Sequence, residues 1–383
     1  MNQQAEAGKS ALWGVGDQGI RVISSLPEEV RLLVKPAAVD SDLQTLVCSP
    51  TARKIRIGPQ TRSAKEIGGD PKKLREAFRE SEEKIREKLS GTRTLLIVGG
   101  LGGGLASGVI PDLCLCARKM KIFTLVFATR PFAFEGKKRN RIFREARERI
   151  EESGAGLACF SLDRLVGKVD DDTPHQEVFR RCDRILQDAV ECATAYLTAP
   201  SEPGGNRVGL GNIFTGAGEA VMGSEEASGP EDLVKSAKAA LSSLALTAAD
   251  LARVRGVLIQ IDGSGPLPFR PVERSIGSVS RLLGEETEVL YTVTRYRKPE
   301  EKISFRLLAA GVPERRFRAD GSQIPVTMTA DRPESRQEEI DFNKFTRGIF
   351  ADDGPTTREG EDLDIPTFVR KGIELDGDPA GGG

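Results

Sequence analysis

Short unbroken apolar runs alternate with segments whose apolar residues recur every three or four positions. The first such unit is "SALW" from Ser10, a strand, then the turn "GVGDQG", then the helical "IRVISSL". A second short strand falls at Ala37-Ala38-Val39 and ends in polar "DSD". Residues 72–89 carry Leu74, Phe78, Ile85 and Leu89 at helical spacing with charges between them. The run Thr94–Val98 predicts a strand that leads into "GGLGGGLASG", Gly99–Gly108. "VIPDLCLCARKM" predicts a helix with Pro111 in its first turn. The strand "KIFTLVFATRPF", the charged helix "EGKKRNRIFREARERIEES" and the strand "GLACFSL" follow. Strands alternating with helices predict a parallel sheet covered on both faces, with ligands at the carboxyl ends of the strands.

From Pro174 to Thr198 one long helical pattern places Val178, Cys182, Ile185, Ala189, Cys192 and Leu197 near one face. The breaker cluster "APSEPGG" ends it. A smaller unit from about Val208 to Val312 predicts one helix, Glu231–Ser243, and strands at "RGVLIQID", "EVLYTVTRY" and "KISFRLLAA". Beyond Pro313 the chain is polar and lacks apolar periodicity, which predicts a disordered linker. One apolar island, "DLDIPTFVRK" from Asp362 to Lys371, interrupts it.

The 383 residues suffice for two domains, and a net charge of -1 gives no basic field for nucleic acid. No apolar run is long enough to cross a bilayer, and the first residues carry no secretory pattern, so the expectation is a cytoplasmic protein. Cys48, Cys114, Cys116, Cys159, Cys182 and Cys192 read as reduced thiols. The one histidine, His175, sits in a polar stretch, so no metal site is expected.

Two glycine-rich turns on one sheet favour phosphate binding, since backbone N–H groups ahead of a helix cradle anions without a lysine. The bland alternative is a pair of tight packing turns. "GVGDQG" also fits a dinucleotide-binding oxidoreductase, but no hydride-transfer site accompanies it. In "FEGKKR", Glu135 can accept from ribose hydroxyls and Arg139 can pair with phosphate oxygens. Most other charges in that helix balance one another on a solvated face.

Taken together, the motifs resemble those of the tubulin-like bacterial division GTPases, the FtsZ family. "TRPFAFEGKKR" is similar to the family's T-R-P-F-x-F-E-G-x-x-R, and "GGLGGGLASG" to its G-G-G-T-G-T-G. "AVDSDLQTL", "IGGDPKKLREAFRESEEKI", "GEAVMGSEEASG" and "RGVLIQIDG" follow in the family's order, and "DLDIPTFVRK" resembles its docking peptide. The resemblance spans Lys9 to Val312 plus the tail.

It implies a tubulin/FtsZ-like α/β fold. A GTP-binding domain would occupy residues 9–173, and a connecting helix with the start of the catalytic-type loop 174–203. A smaller α+β domain would occupy 204–312, a disordered linker 313–361 and a docking peptide 362–371. Gly16, Asp17, Gln18, Gly19, Ile20 and Arg21 would form the first phosphate loop, and Gly102, Gly103, Gly104, Leu105, Ala106, Ser107 and Gly108 the main one. Glu135 would hold ribose, Arg139 phosphate, Phe179 the guanine ring and Asp183 the guanine edge. Phe179 and Asp183 are four apart and share a helical face. The implied ligands are GTP and GDP, with Mg2+ left open. The implied partners are further copies in head-to-tail protofilaments. Membrane tethers and division regulators would be reached through Leu363, Ile365, Pro366, Phe368 and Arg370. Neither nucleic acid nor direct membrane insertion is implied, and the location would be the division site.

The departures cluster at the chemistry. Leu105 and Ala106 replace a threonine and a glycine of the phosphate signature, and Leu162 stands where the family has a guanine-contacting asparagine. Asp17 brings negative charge toward the phosphates, to be offset by a cation or Arg21. The family's N-x-D-x-x-D falls on Gly204, Asn206 and Gly209, with no carboxylate among them. An asparagine orients water but cannot take its proton. The expectation is a septal-ring filament protein with weak or absent hydrolysis. The alternative is a non-catalytic accessory relative that co-assembles with or regulates a standard filament. Carboxylates at Asn206 and Gly209 would raise turnover if that alignment holds.

Overall fold

The computed structural model describes residues 9–58, 69–166, 170, 172–199, 205–295 and 302–317, with two-residue strand pieces at 323–324, 357–358 and 361–362. Gly204, most of the expected linker and the tail residues Leu363, Ile365, Pro366, Phe368 and Arg370 lie outside the described residues.

The amino-terminal half alternates as predicted. Its order is β1 (Ser10–Val15), α1 (Gly16–Ser24), α2 (Glu28–Leu33), β2 (Lys35–Asp40), α3 (Leu43–Cys48) and β3 (Arg53–Arg56). Then come α4 (Pro71–Leu89), β4 (Thr94–Gly100), α5 (Gly104–Lys119), β5 (Phe123–Arg130), α6 (Lys137–Glu152), β6 (Gly156–Ser161) and α7 (Leu162–Val166). The connecting helix α8 (His175–Thr198) leads to α9 (Gly205–Phe214), β7 (Glu219–Ala227), α10 (Leu233–Ser243), α11 (Ala248–Leu251) and β8 (Gly256–Gly263). The last elements are α12 (Phe269–Ser280), β9 (Glu288–Arg295) and β10 (Ile303–Val312).

All ten strands join one sheet in the order β3-β2-β1-β4-β5-β6-β7-β10-β8-β9, within the unit Met1–Val326. Pairing is parallel from β3 to β6, while β10 runs antiparallel to both β7 and β8. Strands β6 and β7 share one register pair, Cys159 with Glu219, and Gly156 of β6 bridges Thr215 beside it. There Glu219, 1% exposed, receives Arg130 at 3.1 Å and Arg164 at 2.9 Å, so buried ion pairs bridge the seam.

Alternation along the strands sorts the core into layers. Ala11, Trp13 and Val15 of β1 pack with Leu74, Val109 and Phe143 of α4, α5 and α6. Leu12 points the other way, toward Val22 of α1 and Leu186 and Val190 of α8. The same face continues through Leu258 and Leu308, so α8 underlies both halves of the sheet. Val257, Ile259 and Leu307 face α10 and α12 instead. Burial on both faces explains why these strands read as continuous apolar runs.

Two expectations need correction. Pro111 lies two turns inside α5, because the helix begins at Gly104. The carboxyl-terminal unit also holds more helix than Glu231–Ser243, since α9 and α12 form as well. Glycines and prolines hid both: "GNRVGLGN" and "FRPVERSIGSVS" lack the composition of strong helix formers. All six cysteines are free thiols, five of them buried.

Candidate functional site

Both glycine turns sit at the carboxyl ends of adjacent parallel strands. Gly16, at φ 73°, lets β1 pass directly into α1. Gly19 sits so close to β4 that a Cβ there would lie 2.2 Å from the Val98 carbonyl oxygen. Its role is to bring helix and strand together. After β4 the chain turns at Gly102, φ 95°, and Gly103 takes the N-cap position of α5 without any side-chain cap. The first N–H groups of α5 thus lack a capping side chain, the arrangement that suits an anion. Ser107 does not face outward: its hydroxyl is buried and accepts the Gly102 N–H at 2.9 Å, fixing the turn. Gly104 and Gly108 are packing positions as well, against the carbonyls of Gly69 and Pro71.

These turns frame a cavity of about 390 Å³. Of the expected residues, Gly16, Asp17, Gln18, Arg21, Gly103, Gly104, Leu105, Ala106, Glu135, Arg139 and Phe179 line it. Leu105 reaches across to within 3.5 Å of a Cβ position on Gly16, so an apolar side chain separates the two turns. Leu162 also lines the wall. Ile20 turns away and packs with Ala38 and Leu46.

Glu135 and Arg139 form an ion pair with each other across one helical turn. The other Glu135 oxygen accepts the Phe132 N–H at 3.0 Å. Both Asp163 oxygens accept the Ala133 N–H at 3.1 Å, and burial raises the Asp163 carboxyl above the ordinary range. This turn therefore holds its carboxylate at a fixed place. Phe179 meets Phe132 edge-on at 6.0 Å, and the His175 ring lies tilted against it at 4.7 Å. His175 thus has an aromatic neighbour.

Asp183 is one turn along α8 from Phe179 and lines a second, larger cavity of about 1120 Å³ beside the first. Asp17 and Arg21 line both. The Gln18 amide donates to Asp183 at 3.2 Å, and its carbonyl accepts from the Thr129 hydroxyl at 2.8 Å. Arg21 Nε donates to the other Asp183 oxygen at 3.0 Å. The sequence held no signal for Gln18 and Thr129 as partners, because they are 111 residues apart.

Near the start of α9, Asn206 turns inward. Its amide donates to the carbonyls of Tyr196 and Ala199 at the end of α8. Gly209 abuts Leu290 and the Tyr196 hydroxyl, a Cβ there lying 3.1 Å from each.

Residues 9–170 match the sequence model of the Tubulin/FtsZ family, GTPase domain. Among solved structures, the chain is similar to an empty FtsZ dimer from M. jannaschii, with 24% identity and a TM-score of 0.71 over 85% of this chain and 94% of that one. A point mutant of the same FtsZ matches at 25% identity and a TM-score of 0.65, over 79% of this chain and 90% of the other. A GTPγS-bound CetZ2 protofilament from Haloferax volcanii matches at 19% identity and a TM-score of 0.63, over 80% and 93%.

Proposed function

Because the chain is a divergent member of the tubulin/FtsZ family through residues 9–170, we propose that it binds GTP and GDP and assembles head to tail with further copies of itself. The observation that carries this reading is the cavity where both glycine turns, Glu135, Arg139 and Phe179 converge. Phosphates sit against the uncapped start of α5 and the Gly16 turn. Arg139 pairs with phosphate oxygens and Glu135 accepts from the ribose, each giving up part of their mutual ion pair. The base lies on Phe179 with its edge toward Asp183. Asp17, on the wall of the same cavity, would hold a Mg2+ that accompanies the phosphates, and the cation would offset its charge.

Hydrolysis is weak or absent in this reading. The Asn206 amide is committed to two carbonyls and Gly209 is packed against neighbours, so neither polarises water for an adjoining subunit. The same observation favours a second reading, an accessory relative that joins a standard division filament. The resemblance of "DLDIPTFVRK" to a docking peptide supports a place at the division site, with membrane tethers and regulators as its partners. Likeness to CetZ as well as FtsZ leaves the division role resting on that tail.

Phosphate release and light scattering across a series of protein concentrations test the proposal. GTP-dependent scattering with little phosphate release supports a binding filament. Turnover that switches on above a threshold concentration overturns the inert-loop part. Scattering only when a standard filament protein is added supports the accessory reading. Absence of GTP binding overturns the whole.

A further inference from the structure

The Arg21–Asp183 pair carries an inference that rests on the reading above and names how the base is chosen. Leu162, on the cavity wall, offers the base no hydrogen bond. Arg21, by contrast, lies at the junction of both cavities, half-exposed, with Nε bonded to Asp183 at 3.0 Å. Its terminal nitrogens Nη1 and Nη2 make no hydrogen bond among the described residues. A planar guanidinium held by Nε presents those two nitrogens as an end-on fork.

We propose that Arg21 and Asp183 together read the purine edge, Asp183 accepting from N1 and N2 of guanine while Arg21 donates to O6 and N7. The order of groups matches. Around guanine the 2-amino group, N1–H, O6 and N7 run donor, donor, acceptor, acceptor. The carboxylate and the guanidinium beside it offer two acceptors and then two donors. Arginine bidentate to O6 and N7 is also the commonest specific contact to guanine in nucleic-acid recognition. Adenine reverses the pattern, setting its N1 acceptor against the carboxylate and its 6-amino donor against the guanidinium. Gln18 keeps Asp183 in place from the other side, through its bond to Thr129. Arg21 is thereby a base-specificity residue, in place of the phosphate role the sequence suggests for it.

The test is the affinity of the full chain for GTP, 7-deaza-GTP and ATP, in the wild type, Arg21→Met and Arg21→Lys. In the wild type, 7-deaza-GTP, which lacks the N7 acceptor, binds about tenfold weaker than GTP, the loss of one charge-assisted hydrogen bond. Arg21→Met weakens GTP and abolishes the 7-deaza penalty. Arg21→Lys keeps a charge beside Asp183 but puts a single ammonium in place of the fork, so it shrinks the penalty without removing it, and it serves where the methionine variant does not fold. Equal wild-type affinity for GTP and 7-deaza-GTP overturns this inference alone, and so does a penalty that survives undiminished in both variants. A wild type that binds no GTP overturns it together with the proposed function.

Discussion

The side chains of Gln18 and Asp183 meet at 3.2 Å although 165 residues separate them. Through this contact the first glycine turn, the end of β5 and the connecting helix are one hydrogen-bonded unit, because the same Gln18 side chain accepts from Thr129.

Gln18→Ala therefore loosens Asp183 from its place beside the cavity that Gln18 itself lines. GTP affinity falls about fivefold to tenfold, the value of one or two net hydrogen bonds. Gln18→Glu costs more, since it sets a carboxylate against Asp183. Titration calorimetry of the two variants, with thermal melts to confirm folding, checks the order. Equal affinity in both would remove Gln18 from the site.

Arg306 on β10 faces Asp188 at 3.0 Å and Glu191 at 2.9 Å on α8. These carboxylates hold the guanidinium strongly charged despite its burial. Arg306→Met takes the cation away from two nearly buried carboxylates and destabilises the fold by about 3–5 kcal/mol. Urea unfolding of the full chain measures it. A loss under about 1 kcal/mol would show that solvent already screens the pair.

Burial, with Asp17 and Asp42 nearby, pushes the Asp40 carboxyl up to about 6, against the opposing N–H groups of Ser41 and Asp42. The folded state then holds a proton that the unfolded chain has released, over the window from about pH 4 to about pH 6. A raised folded pKa means stability is full below that window and is lost as pH rises through it. Asp40→Asn carries no charge in either state. It flattens the slope and stabilises the protein at pH 7.5 by about 2–3 kcal/mol. Unfolding midpoints at pH 5 and pH 7.5 decide this, and a parallel pair of profiles would refute it.

Neighbouring glycines in the main loop behave oppositely. A Cβ on Gly104 would lie 2.2 Å from the Gly69 carbonyl oxygen, while around Gly103 nothing lies within 4 Å. Gly104→Ala must move backbone and costs about 2 kcal/mol or more, whereas Gly103→Ala stays within about 0.5 kcal/mol of wild type. Chemical denaturation of the pair is the measurement. Equal stabilities would mean the loop yields.

The sheet's strands were readable because burial on both faces leaves apolar runs that need no tertiary information, as in Thr94–Val98. Contacts across the chain were not readable. That Ser107 serves its own turn and that Ile20 packs against Leu46 depend on which way each helix rotates, which glycine spacing does not encode. Arg21 shows the same limit: its place between two cavities follows from how α1 faces α8. Phe179, Glu135 and Arg139 line one cavity, a long-range grouping that local pattern lacks and only the resemblance implied.

The last prediction reverses a simple expectation. Restoring carboxylates at Asn206 and Gly209 would raise turnover if both positions faced a neighbouring nucleotide. In this fold the Asn206 amide donates to the carbonyls of Tyr196 and Ala199, closing the end of α8. Aspartate has no hydrogen to donate there and sets a negative oxygen against two carbonyls, at a cost of about 1–3 kcal/mol. At Gly209 a side chain must push Leu290 or the Tyr196 hydroxyl aside. Asn206→Asp, alone or with Gly209→Asp, therefore lowers the unfolding midpoint and leaves GTP turnover unchanged. A variant of wild-type stability that releases phosphate faster would show that α9 reorients on assembly, and that the loop's inertness is a matter of residues rather than of orientation.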